Sequence, residues 1–313
     1  MRKTLFALLL CLCGAAPPAR AGCAESALEV APKLSEEARR DFETKLAGAR
    51  EEFGRNPDAE RFIWLGRRTA YLGRYKEAVG IFTEGLKKFP RDARLYRHRG
   101  HRLITLRCFD AAAKDLERAA SLVRGRPDEV EPDGLPNARG VPTSTLQSNV
   151  WYHLGLAHYL RGDFRRALAA YREAEKVSTN PDTLVSTTHW LYMTLRRLGR
   201  EREAAAALAA VGDGLDVIES EDYYKLVRLY QGKLKPTELM GENIKTPDTV
   251  GGATVGYGVG NWFLYNGRRE LAEQLFRRVT GGSQWASFGY IAAEAELEGR
   301  RARSGDGVPR IIY

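Results

Sequence analysis

The chain has 313 residues, 43% of them hydrophobic and 28% charged, with a formal net charge of +9. That apolar share excludes a wholly disordered chain, and no window after the N-terminus approaches 18 continuous apolar residues, which excludes a membrane-spanning helix there. A modest positive excess spread over arginine-rich helical segments speaks for solubility and against a nucleic-acid face.

The chain begins with the basic Met1-Arg2-Lys3, an apolar run Leu5–Leu12, and Ala19-Arg20-Ala21. That is the n-region, h-region and A-x-A order of a secretory signal peptide, so residues 1–21 are expected to be removed and the protein exported, to a periplasm or outside the cell. Removal takes Arg2, Lys3 and Arg20 and no acid, and leaves Cys23 and Cys108 of the four cysteines. Two cysteines make no disulfide framework. A bridge between them needs an oxidising compartment, and Cys108, in an inter-helix turn, reads first as a small packing residue. Ala21-Gly22-Cys23 is similar to the end of a bacterial lipobox, although Arg20 stands where an aliphatic residue is expected. Cys23 is therefore a lipidation candidate, and membrane association is expected only through it.

Residues 22–58 form an N-terminal segment and a capping helix, Ser35–Phe53. Ser35 caps it, Glu36 and Glu37 fill the first turn, and Ala38, Phe42, Leu46 and Phe53 trace one apolar face. The stretch Phe62–Pro90 then sets a pattern. Leu65-Gly66, Gly73, Tyr75, Ala78, Phe82 and Pro90 suit two antiparallel helices that cross closely, turn at a glycine and stop at a proline. Tyr96, Gly100, Leu103, Phe109, Ala112, Leu116 and Ala119 repeat it 34 residues on. Trp151, Leu154-Gly155, Gly162, Phe164, Ala167, Tyr171 and Ala174 form the strongest copy, closed by Pro181. A thinner one has Leu191, Leu195, Gly199, Ala204 and Leu208, with Tyr192 in place of a small residue. The last has Gly260, Phe263, Gly267, Ala272 and Phe276.

This period and these residues resemble the tetratricopeptide repeat, a 34-residue helix–turn–helix unit. The resemblance covers roughly Ala59 to Val279. It implies an all-α fold: an α-solenoid of antiparallel helix pairs with N- and C-terminal capping helices. It also implies a concave groove, lined by the first helix of each pair, that holds a peptide or partner protein.

Intervals between equivalent alanines locate the irregularities. Ala112 to Ala167 is 55 residues, which leaves an insert at 124–145 carrying four prolines. It is either a passive surface insertion or a loop folded back over the groove, with Asp128, Glu129, Glu131 and Asp133 shielding it. Ala204 to Ala272 is 68, two periods, so an eroded pair is expected, with Tyr223–Gln231 as its first helix, Pro236–Met240 as its second, and a loop over Gly241–Gly252. The divisions are 59–123 for repeats one and two, 146–214 for repeats three and four, and 215–252 for the eroded unit. Residues 253–299 hold the last repeat and a closing helix over Trp285–Leu297. The tail, 300–313, lacks periodicity and is expected to be mobile.

Helical offset from the Leu-Gly faces nominates groove residues: Arg67, Tyr71, Arg94, Arg97, His101, Tyr152, Tyr159, His189, Met193, Arg196, Tyr257 and Asn261. The set mixes cations with rings and suits an acidic peptide, a carboxylate or stacked aromatic side chains. Members of the family that grip a C-terminal carboxylate use a Lys/Asn-rich set; this chain has Arg, His and Tyr instead. All five histidines, His98, His101, His153, His158 and His189, fall on first helices. Their spacings of i, i+3 and i, i+5, with no accompanying cysteine, favour structural or groove-lining roles over metal. The glycines at 251–260 lack the strand and the Lys-Ser/Thr of a phosphate loop, and Gly281–Trp285 lacks the last glycine of a nucleophile elbow. No catalytic constellation, cofactor or metal site is read. The reading is an exported, non-enzymatic scaffold for a protein or peptide partner. The alternative is an accessory protein binding a small ligand or metal on its His/Arg/Tyr-lined surface.

Overall fold

The computed structural model describes residues 22–241, 245 and 248–304, with side chains as far as residue 299. The expected signal peptide and residues 305–313 lie outside the described residues, as do 242–244, 246 and 247 within the expected loop.

A short helix α1 (Cys23–Ser26) is followed by α2 (Glu36–Arg55), where the Ser35 hydroxyl accepts from the Ala38 amide at 3.1 Å. Six helix pairs come next: α3 (Ala59–Tyr71) with α4 (Tyr75–Lys88), α5 (Ala93–Thr105) with α6 (Phe109–Val123), and α7 (Leu146–Leu160) with α8 (Phe164–Lys176). Beyond them are α9 (Pro181–Arg197) with α10 (Glu201–Ala207), α11 (Glu221–Tyr230) with α12 (Pro236–Met240), and α13 (Val250–Tyr265) with α14 (Arg269–Thr280). A last helix, α15 (Phe288–Ser304), closes the row. The described chain is an all-α solenoid, and none of its helices is long and apolar enough to cross a membrane.

Local chemistry sets where the pairs begin and turn. Asp58, Asp92, Thr145, Asn180 and Thr249 cap α3, α5, α7, α9 and α13 with side-chain oxygens, satisfying amides that lack a helical partner. Each pair turns through one residue of positive φ: Gly73, Gly162, Gly199, Gly232, Gly267, and Arg107 at 61°. The crossings depend on a small residue facing a large one sixteen positions on. A Cβ on Gly66, Gly100, Gly155 or Gly260 would lie 2.3–2.7 Å from Phe82, Leu116, Tyr171 or Phe276. In the fourth pair Tyr192 takes the small position and instead stacks on Tyr230, centroids 4.4 Å apart.

The expected elements need three adjustments. The loop after α12 ends at Thr249, because its hydroxyl accepts from the Gly252 amide at 2.9 Å and starts α13 there. The closing helix starts at Phe288, three residues later than expected, and continues through residues 300–304, which lie within the expected tail. Gly54 belongs to α2 and does not end it.

The eroded pair has a consequence for the whole row. Helices α11 and α12 span only 10 and 5 residues, a narrow wedge, and α13 packs on both α11 and α9. The first helices α7, α9 and α13 therefore converge. Tyr257 donates to the Tyr159 hydroxyl at 2.9 Å, joining α13 to α7 across 98 residues of sequence. One continuous apolar cluster runs from α3 to α15, and a smaller one seats α2 on α3 through Leu46, Ala49, Leu65 and Leu72. Thus α2 covers the end of the row, as a capping helix should.

Candidate functional site

The expected groove divides into two parts. In the C-terminal part the nominated residues are built into the core. Tyr159, His189, Met193, Tyr257 and Asn261 are buried. Asn261 Nδ2 donates to the Tyr159 hydroxyl at 2.7 Å, and His189 Nδ1 meets the Tyr230 hydroxyl at 3.1 Å. Tyr152, partly buried, accepts from Trp190 Nε1 at 2.8 Å. Arg196 donates to the Tyr192 hydroxyl at 3.1 Å and lies over the Tyr265 ring at 4.5 Å. Burial pushes His189 down to about 3 and Tyr159 up to about 12. These side chains hold helices together and do not line an open groove. The correction has a simple cause: the wedge at α11–α12 brings their helices into contact.

Helix α15 fills the interior that remains. Phe288 packs against His101, His153 and Tyr152, with ring centroids 5.3–6.3 Å away. Arg197 of α9 pairs with Glu296 of α15. Arg107, at the α5–α6 turn, donates through Nε to Glu294 at 2.6 Å and through a terminal nitrogen to the Trp285 carbonyl at 2.9 Å. Its guanidinium also lies 3.8 Å from the centre of the Trp285 ring, which stacks on Tyr75. Arg107 was absent from the nominated set. Its signal was available: position 107 is one period after Gly73, where the repeat wants glycine.

The N-terminal part keeps an accessible face on α3 and α5, and the insert lies over it. The insert is pinched at its base, where the Glu131 amide donates to the Ser144 carbonyl at 3.1 Å and the Leu146 amide to the Glu129 carbonyl at 2.8 Å. Arg67 donates to the Pro132 carbonyl at 2.7 Å, and Arg68 to the Gly134 carbonyl at 2.9 Å. Glu131 enters the protein, 9% exposed, and pairs with Arg97 at 3.1 Å. The insert folds back onto the α3–α5 face and does not stand away from it. Of the four acids only Glu131 is buried against the arginines; Asp128 caps the base by accepting from the Gln147 amide at 2.9 Å.

Around Glu131 the face is strongly basic. Arg97 donates to His98 Nδ1 at 2.9 Å, and Arg102 to His101 Nε2 at 2.6 Å. Imidazoles that accept from guanidinium must be neutral. Burial first, and then the neighbouring arginines, holds His98, His101 and His153 well below the ordinary histidine value. Burial pushes Arg102 itself down to about 10. Arg94 is spoken for by Asp92 and by Glu60 at 2.9 Å, and remains partly exposed with Arg67 and Tyr71. The histidines of α5 and α7 do meet, His101 and His153 with centroids 4.5 Å apart. Among the described residues, however, no group of three or more His, Cys, Asp or Glu side chains could hold a metal ion.

Cys23 and Cys108 form a disulfide with Cα atoms 5.8 Å apart. Cys108 is thus more than a small packing residue. The bridge uses the sulfur that lipidation of Cys23 would need, so the two states exclude each other.

A family model of the tetratricopeptide repeat matches residues 148–180, the segment from α7 to the start of α9. No curated protein matches the sequence. Among solved structures, YrrB, described as a TPR protein with an unusual peptide-binding site, is 17% identical; 80% of this chain aligns with 97% of it at a TM-score of 0.41. MamA is also 17% identical, with 56% of this chain on 89% of it and a TM-score of 0.42. Yeast Tom70 is 15% identical, with 82% of this chain on 52% of it and a TM-score of 0.40.

Proposed function

From a chain that carries a tetratricopeptide repeat and is built as a solenoid of such helix pairs, we propose an exported, non-enzymatic scaffold that holds an acidic segment of a partner protein on its α3–α5 face. The observation that carries this reading is the buried pairing of Arg97 with Glu131, in which the chain's own insert supplies a carboxylate to that face. Partly exposed Arg67 and Tyr71 extend the face beside Arg97, offering a guanidinium group and a ring to an acidic peptide, whereas Arg94 is held by Asp92 and Glu60. The remainder of the expected groove is occupied by α15 and by tyrosine–histidine packing, which restricts the site to the N-terminal pairs. Two features support export: the signal-type order of residues 1–21, and a disulfide of the kind that persists in oxidising compartments.

The test is a fluorescence-anisotropy titration with a labelled Asp/Glu-rich peptide and its Asn/Gln counterpart. The acidic peptide should bind and the neutral one should not, and Arg67→Met should weaken binding about tenfold, the loss of one charge-assisted contact. Equal binding of both peptides would overturn the reading.

A further inference from the structure

The arginines behind the insert enclose a cavity of about 120 Å³, lined by Arg67, Tyr71, Arg97, His98, His101 and Arg102. Three guanidinium groups face it, and one carboxylate, Glu131, pairs with one of them. Arg67 donates only to a backbone carbonyl, and Arg102 only to the neutral ring of His101. Arg97 is 8% exposed, and its Nε lies buried with no hydrogen-bond partner. With both histidines neutral, the lining carries about two positive charges in excess of its acids. A buried donor without a partner is costly, and the partly buried Arg67 and Arg102 beside it have no counter-ion among the described residues, so this arrangement is one that a ligand would complete.

We propose that this cavity is a binding site for a compact dianionic oxyanion of the phosphate type. The charge argues for a dianion over a carboxylate, since a phosphate group carries roughly −1.5 to −2 at pH 7 and several acceptor oxygens. Guanidinium groups match those oxygens in pairs, and the Tyr71 hydroxyl adds a neutral donor. The volume admits a small group and excludes a peptide segment. The cavity shares Arg67, Tyr71 and Arg97 with the acidic-peptide face proposed above, but free phosphate or sulfate probes it with no peptide present, so its failure and the failure of that reading are distinguishable.

The test is calorimetric titration and thermal melting of the disulfide-intact protein at pH 7.5, with sodium phosphate, sodium sulfate or phosphoserine against sodium chloride at matched ionic strength. Saturable binding of phosphate or sulfate, with a rise in Tm beyond that in chloride, is expected. Arg102→Met and Arg67→Met should each weaken it about tenfold or more, while Arg94→Met, outside the cavity, should leave it unchanged. Because Arg102 has no acidic partner, Arg102→Met should melt no lower than the parent without phosphate, which separates a ligand role from a structural one. Binding of phosphoserine but not of the free ions would assign the same site to a phosphate carried on a larger molecule. No response beyond chloride to any of the three, or an equal response in Arg102→Met, would overturn the proposal.

Discussion

His98, His153 and His189 are almost fully buried and held neutral, chiefly by burial. A histidine whose folded pKa lies below its unfolded value of about 6.5 contributes stability above that value and loses it as pH falls, because the unfolded chain binds the extra proton. Each group then withdraws roughly 1 kcal/mol per pH unit below 6.5. Three of them predict that denaturant-unfolding stability drops by about 3 kcal/mol between pH 6.5 and 5.5; a flat profile would show that these rings are not held neutral. Arg107 presents the opposite balance at one residue. Its positive φ costs roughly 1–2 kcal/mol, yet its side chain fastens α15 and Trp285 to the α5–α6 turn. Arg107→Gly relieves the backbone and removes the fastening. Amide exchange in α15 should accelerate about tenfold or more, while exchange in α7 stays unchanged; unaltered α15 protection would deny Arg107 that role.

At the scale of elements, the helix pairs were legible because their determinants are local. Gly66 with Phe82 and Gly155 with Tyr171 lie sixteen residues apart, and the turn glycines recur with the period. Even the eroded pair could be placed, from the double interval between Ala204 and Ala272. What those helices face was not legible. It depends on contacts such as Arg107 with Glu294, 187 residues apart, and Tyr159 with Tyr257, 98 apart. Periodicity assigns a residue to a side of its helix but cannot say what another helix brings to that side. Tyr159 and His189 were therefore nominated for an open groove and lie in the core. Gly289 illustrates how closely α15 is seated: a Cβ there would fall 2.4 Å from the Ala253 carbonyl oxygen. Gly289→Ala should lift α15 and lower stability by about 1–3 kcal/mol, the usual cost of overpacking, read as a fall in Tm. An unchanged Tm would mean that α15 is not packed against α13.

At the scale of the molecule, the turn edge of the first two pairs collects the first and last described helices: Cys23 of α1 reaches Cys108, and α15 reaches Arg107 beside it. The bridge closes a loop across a sequence separation of 85, which in the chain-entropy account is worth about 4–5 kcal/mol. Reduction, or Cys108→Ser, should lower unfolding stability by an amount of that order, and no loss would mean the bridge is not formed. In a solenoid closed in this way, the α3–α5 face under the insert is the interaction surface we propose, and that is the central claim. It is tested most directly by the affinity of an acidic peptide for Glu131→Gln beside the parent protein. Removing the resident carboxylate strips Arg97 of its partner, so the variant should melt lower and bind the acidic peptide about tenfold tighter, a gain of roughly 1.4 kcal/mol. Unchanged or weaker binding by Glu131→Gln would contradict the claim that the insert occupies the partner's site.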